Sequence, residues 1–179
     1  MILDRLKNLS NALMYYKDLG YQELEVPWIV SSAAIGATIP TGCDPMDIVN
    51  YGSLVASGEQ SFIQLWLDGK LSNGKYCCCT PCFRAEPVLS KTTRTYFLKV
   101  ELIDVGAGIN EIPRMLEDAF GFYKKYIPNV EKIKTGTGYD IYSNEIELGS
   151  YGYRTFGDMW WVYGTGCAEP RFSYCMREK

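Results

Sequence analysis

The chain has 179 residues, 47% of them hydrophobic and 22% charged, which is enough apolar surface for one sizeable core. Its net charge of -3, from 18 basic and 21 acidic residues with no Lys/Arg run, excludes a strongly cationic nucleic-acid-binding surface. Histidine is absent, which removes the usual general base and the commonest metal ligand, so any chemistry here works without imidazole.

No apolar run approaches the roughly 20 residues that cross a bilayer, and the N-terminus lacks the basic-then-apolar pattern of a signal peptide. The expectation is a cytoplasmic protein with no membrane partner, folded as one domain over residues 1–179. Seven cysteines are an odd count, and Cys77, Cys78 and Cys79 are consecutive, so reduced, mostly buried thiols fit better than a disulfide scaffold.

In chain order, Leu3, Leu6, Leu9, Leu13 and Tyr16 recur at steps of three and four and predict a helix over 2–19, stopped at Gly20. Residues 21–30 read as extended, with Pro27 marking an edge or a strand end. The small, turn-rich stretch 31–50 reads as a loop over a site. A short strand over 51–56 and a helix over 60–67 follow. Residues 76–86 and 95–105 read as two strands joined by a polar loop, a long antiparallel hairpin. A second amphipathic helix is predicted over 112–127, strands over 130–133, 139–148 and 159–163, and a closing helix after Gly166. Strands interrupted by few helices favour an α+β domain on an antiparallel sheet. No Gly-x-Gly-x-x-Gly follows a strand into a helix, and neither Lys70 nor Lys75 is followed by Ser or Thr, so the dinucleotide and P-loop patterns are excluded.

The sharpest local signal is Cys82-Phe83-Arg84-Ala85-Glu86 on the first arm of the hairpin, answered by Tyr96-Phe97-Leu98-Lys99-Val100-Glu101-Leu102 on the second. Strand alternation puts Arg84 with Glu86 on one face, and Phe97, Lys99 and Glu101 on one face. A guanidinium for phosphate, a ring for a base and carboxylates for amines suit a nucleotide, although an ordinary sheet face with cross-strand Arg/Glu pairs uses the same residues. Cys79-Thr80-Pro81-Cys82 has Cys-x-x-Cys spacing but no second pair and no histidine, which favours buried thiols over zinc. Trp160, Trp161 and Tyr163 read as aromatic packing on both faces of a central strand, with an aromatic wall for a ligand as the alternative.

Arg-x-Glu, a variable loop, then Phe-x-x-x-Glu resembles the second signature motif of class II aminoacyl-tRNA synthetases, with Thr80 to Glu86 and Phe97 to Leu102 most similar to the seryl enzymes. Gly20-Tyr21-Gln22-Glu23-Leu24-Glu25-Val26-Pro27 after a helix resembles the first motif, and Gly164-Thr165-Gly166-Cys167-Ala168-Glu169-Pro170-Arg171 the third. Ser57-Gly58-Glu59-Gln60 resembles the Thr-x-Glu loop that grips the amino acid in seryl and threonyl enzymes. The four fragments occur in the family's order along nearly the whole chain.

The resemblance implies an antiparallel sheet flanked by helices, the biotin-ligase-like fold, and activation of a small amino acid by ATP. The substrate carboxylate attacks the α-phosphate directly, so no side-chain base is needed. Arg84 and Arg171 are the implied catalytic residues, Arg84 bridging the α-phosphate and the substrate carboxylate, Arg171 holding the far end of the triphosphate. Glu86 reads the adenine amine, Phe97 stacks on the ring, and Arg94 is a second phosphate contact. Glu59 and Glu101 line the amino-acid pocket, and Ser57-Gly58-Glu59 makes serine the first choice. Magnesium is implied with the ATP. Glu145 and Glu147, read as one face of a strand, are its candidate ligands, with Glu145 ahead because Glu145-Ile146 resembles a pair in seryl enzymes. The first motif implies a homodimer. Ala168 stands where the third motif has its last glycine, the loop of the second motif is short and has no histidine, and no anticodon-binding or tRNA-arm domain is expected. The acceptor is therefore open among a tRNA acceptor end, a carrier protein and a small molecule. A catalytically silent paralogue that binds an amino acid, a nucleotide or a partner protein, and an amide ligase similar to ammonia-dependent asparagine synthetase, are the alternatives.

Overall fold

The computed structural model describes residues 2–39 and 43–177. A seven-stranded sheet forms its centre, in the order β1 (Gln22–Glu23), β5 (Gly74–Phe83), β6 (Tyr96–Val105), β10 (Met159–Glu169), β9 (Ile146–Phe156), β8 (Gly138–Ser143) and β7 (Val130–Lys134). Every pairing is antiparallel except that of β1 with β5. A second sheet of three short strands, β2 (Ile29–Val30), β4 (Gly52–Leu54) and β3 (Met46–Ile48), lies apart from it in the order β2-β4-β3.

Both faces of the central strands are covered, and alternation along β6 assigns each side chain to one of them. Val100 and Leu102 join one core with Leu9, Ala12 and Tyr16 of α1 (Ile2–Asp18), Met115, Ala119 and Phe122 of α4 (Ile112–Tyr126), and Phe172 of α5 (Arg171–Arg177). Ile103 and Val105 join the other with Ala34 and Ile35 of α2 (Ser32–Gly36) and Phe62 and Ile63 of α3 (Gly58–Leu67). Phe62 and Ile63 are fully buried, each stabilising the fold by about 1.5–3 kcal/mol relative to exposure. Towards one end of β5 and β6 this second face is not filled by apolar side chains, and the polar groups described below collect there.

Several sequence expectations need correction. The stretch 31–50 contains α2, capped by Ser31 accepting from the Ala34 N–H, and β3; Pro40, Thr41 and Gly42 lie outside the described residues. Residues 139–148 are not one strand: β8 ends at Ser143 and β9 starts at Ile146, the turn made by Asn144 at φ +54°, a left-handed conformation that asparagine tolerates. The strand predicted over 159–163 does not stop there: β10 runs through the glycine-rich third motif to Glu169, so the closing helix expected after Gly166 starts at Arg171 and has seven residues. Those glycines answer to packing. A Cβ on Gly166 would come within 2.7 Å of the Tyr16 ring and 2.8 Å of Val100, and one on Gly164 within 2.5 Å of Tyr151, so larger residues would push the helices off the sheet.

Among the described residues no helix is long and apolar enough to cross a membrane.

Candidate functional site

The hairpin of β5 and β6 carries the site at its loop end. The strand stops at Phe83, so Arg84 and Glu86 do not share a face by alternation as expected. A tight turn, with the Glu86 N–H donating to the Arg84 carbonyl at 2.9 Å, aims both into the same cleft after the Arg84 N–H has donated to Thr95. Arg84 is then fixed twice: its Nε donates to the Ala56 carbonyl at 3.0 Å, and its guanidinium stands 5.1 Å from the Phe97 ring centroid.

The cleft is partly open to solvent and encloses about 50 Å³, less than the roughly 300–1,000 Å³ of a typical small-molecule site. Arg84, Glu86, Thr92, Thr93 and Arg94 line it from the hairpin loop, and Phe97 and Lys99 from β6. Glu147 and Leu148 close it from β9, and Thr165, Ala168, Pro170 and Arg171 from β10 and the start of α5. Five residues singled out in the sequence, Arg84, Glu86, Arg94, Phe97 and Arg171, are thus brought together from segments up to 87 positions apart.

The far wall depends on a register break. Between Thr165 and Cys167 the β10–β6 ladder shifts by a residue, so Thr165 and Ala168 both face the cleft while Cys167 turns into the helical core. Buried phenols hold this bulge: Tyr16 donates to the Gly166 carbonyl at 2.8 Å and Tyr151 to that of Thr165 at 2.6 Å. Tyr151 carries no usable sequence signal, yet it orders the wall. Arg171 donates to both the backbone carbonyl and the Oε1 of Glu147, each at 3.1 Å. Glu147 therefore stands on the cleft wall, whereas Glu145 occupies the exposed β8–β9 turn and does not line the cleft. The expectation that the two share one strand face is corrected by that turn.

Glu59 and Glu101 lie deeper, beneath α3. That helix starts directly on the sheet: a Cβ on Gly58 would meet Cys78 Sγ and Glu101 Cβ at 3.0 Å. Both oxygens of Glu59 are engaged, Oε1 by the Trp161 indole N–H at 2.6 Å and Oε2 by Arg154. Burial pushes the Glu59 carboxyl above its ordinary range in spite of Arg154. Arg154 also lies over the Tyr163 ring at 4.2 Å. Glu101 accepts at Oε2 from Ser57 Oγ and pairs with Lys99 Nζ, both at 2.5 Å, and Lys99 donates to Ser57 Oγ at 3.1 Å. Burial opposes the charge on Lys99, but the adjacent Glu101 outweighs it and the amine is held above its usual value.

Sequence reasoning gave no role to Arg154 or to Trp161 as a hydrogen-bond donor, and it placed Lys99 on the face of Phe97 and Glu101 without giving it one. Strand alternation with Glu101 was the one signal available, and it applied to Lys99.

The sequence matches no protein-family model and no curated protein sequence; the likeness lies in the fold. Two structures of pyrrolysyl-tRNA synthetase from Desulfitobacterium hafniense are similar at TM-scores of 0.74 and 0.71 with 18% and 17% identity. They cover 99% and 89% of this chain, which spans 67% and 65% of theirs. Seryl-tRNA synthetase of Pyrococcus horikoshii complexed with ATP gives 0.74 at 16% identity, over 92% of this chain and 48% of that one. The cytoplasmic serine-tRNA ligase of Naegleria fowleri in complex with AMP gives 0.69 at 16%, over 94% and 47%.

Proposed function

From the fold of a class II aminoacyl-tRNA synthetase catalytic core, we propose that this chain binds ATP in the cleft between Arg84 and Arg171 and activates a small amino acid, serine first, as its adenylate. The activated acyl group then passes to tRNA or to another acceptor, and residues 1–179 act as one catalytic unit. The observation that carries the reading is the convergence of Arg84, Glu86, Arg94, Phe97 and Arg171 on one cleft.

The reaction asks little covalent chemistry of the protein. A carboxylate oxygen of the amino acid forms a bond to the α-phosphorus, the bond from that phosphorus to the bridging oxygen breaks, and the electron pair leaves with pyrophosphate. No proton moves, so the absence of histidine is no handicap. Rate comes from alignment and from fixed positive charge where negative charge develops. In this reading Arg84, already oriented by Ala56 and Phe97, spans the α-phosphate and the attacking carboxylate. Phe97 offers its ring to adenine, Glu86 accepts from the adenine amine, and Arg94 and Arg171 take the outer phosphates.

Mg²⁺ uses one or two carboxylates and fills its shell with phosphate oxygens and water. Glu147, whose Oε1 is on the cleft wall beside Arg171, fits that demand, and among the described residues no group of three or more metal-ligating side chains exists. The residues thus suit a cation that arrives on the triphosphate, where it would supply charge neutralisation. A homodimer is part of the proposal: Ile2, Leu3, Leu6 and Met14 are exposed on α1, and sedimentation showing only monomer at micromolar concentration would remove it.

Amino-acid-dependent ATP–pyrophosphate exchange across all twenty amino acids, with Arg84→Ala as control, tests the function. Exchange with one amino acid, lost in the control, is expected. A folded protein without exchange would leave the silent paralogue as the better account.

A further inference from the structure

Glu101 is a buried carboxylate beside the cleft-lining Lys99, and that ammonium is already its partner. Its Oε2 is 2.5 Å from Lys99 Nζ and accepts from Ser57 Oγ. Glu101 is 2% exposed and Lys99 6% exposed, so neither charge is balanced by solvent. An amino acid that brings its own ammonium to Glu101 would crowd a second cation beside Lys99 unless Lys99 moves.

Charge balance gives the way out. An amino acid is a zwitterion, and a zwitterion entering a Lys–Glu pair converts one ion pair into two, ammonium with Glu101 and carboxylate with Lys99, leaving no buried charge unpaired. Lys99 is suited to the exchange. It lines the cleft together with Arg84, its flexible four-carbon stem carries three donors, and among the described residues only Glu101 and Ser57 use them.

We infer that the Lys99–Glu101 pair is a splittable receptor for the amino-acid zwitterion, in which the substrate ammonium displaces Lys99 from Glu101 and Lys99 turns to the substrate carboxylate beside Arg84. The pair fixes which end of the substrate faces the α-phosphate. Lys99 becomes a catalytic residue, adding a second cation where Arg84 alone would neutralise the carboxylate–phosphate encounter. The device also filters substrates: carboxylic acids without an ammonium group leave Lys99 on Glu101 and are excluded. This inference rests on the adenylate reading and names how its amino-acid subsite works.

The test is exchange kinetics with serine, or with whichever of the twenty amino acids the wild type uses best, in wild type and in Lys99→Met and Lys99→Gln. Methionine removes the charge and the competitor for Glu101. Glutamine still donates to Glu101, so it keeps the measurement open if Lys99→Met fails to fold. The expected result is a split: kcat falls about 100-fold or more, the scale of one lost transition-state donor, while KM for the amino acid stays level or falls. An unchanged kcat overturns the inference. So does a raised KM with kcat retained, which is the signature of Lys99 merely propping Glu101. A wild type that exchanges with no amino acid overturns the adenylate reading itself and this mechanism with it, whereas an active wild type with an indifferent Lys99→Gln removes only the role of Lys99.

Discussion

Replacing Arg154 with methionine should destabilise the protein in a way that pH can switch off. Arg154 is the cationic partner of Glu59, whose side chain is 5% exposed, and without it the carboxylate retains only the Trp161 indole as a donor. Breaking one side of a buried pair costs about 3–5 kcal/mol. The side chain of Arg154 is 37% exposed, so water recovers part of that, and about 2–3 kcal/mol at pH 7 is expected. The sign of the pH dependence follows from Glu59. Its folded carboxyl is already raised above the ordinary value of 4.5 by burial, and losing Arg154 raises it further. The folded state then holds a proton that the unfolded state has released, so stability is fully present below pH 4.5 and is lost as pH rises through the folded value. Urea unfolding of wild type and Arg154→Met at pH 4.5, 5.5 and 7 would show the difference growing with pH, from under about 1 kcal/mol of lost stacking on Tyr163 at the acid end. Adding Glu59→Gln to Arg154→Met should recover much of the loss at pH 7. An equal penalty at every pH would refute the assignment of Glu59 as a buried charge dependent on Arg154.

Removing the Tyr151 hydroxyl with Tyr151→Phe deletes its 2.6 Å bond to the Thr165 carbonyl and should cost about 1 kcal/mol, read as a lowered urea midpoint with an unchanged slope. Glu147→Gln should raise the Mg²⁺ concentration needed for half-maximal nucleotide binding and Glu145→Gln should not, because only Glu147 lines the cleft. Native protein should offer one fast thiol to an aromatic disulfide reagent, that of exposed Cys43, and all seven in denaturant. Burial pushes the Cys77 thiol up to about 12 and that of Cys79 up to about 11, which leaves almost no thiolate at neutral pH.

The hairpin was legible because its information is local. Arg84, Glu86 and Phe97 lie within fourteen positions of one another, and pairing across β5 and β6 alone brings them to one end of the sheet. Arg171 was found through a motif and not through periodicity, since nothing near it in sequence names its partners. Arg154 was missed because Glu59 is 95 positions away, a contact that only the packing of α3 on the sheet creates. Gly164 and Gly166 lie beyond the strand predicted over 159–163; in fact tertiary crowding by Tyr16 and Tyr151 demands glycine inside a strand that continues through them. The helix Ser32–Gly36 is five residues long, too short to display a helical period. Asn144, at positive φ just before Glu145, ends a strand that hydrophobic alternation would have continued, which leaves Glu145 in the turn and Glu147 on the next strand.

Everything proposed for the cleft requires that it hold ATP, so calorimetric titration of wild type and Arg84→Ala with ATP and Mg²⁺ tests the account most directly. Saturable one-to-one binding, weakened at least tenfold in Arg84→Ala with the fold intact by circular dichroism, is the predicted result. No ATP binding by folded wild type, or equal binding by Arg84→Ala, would contradict it.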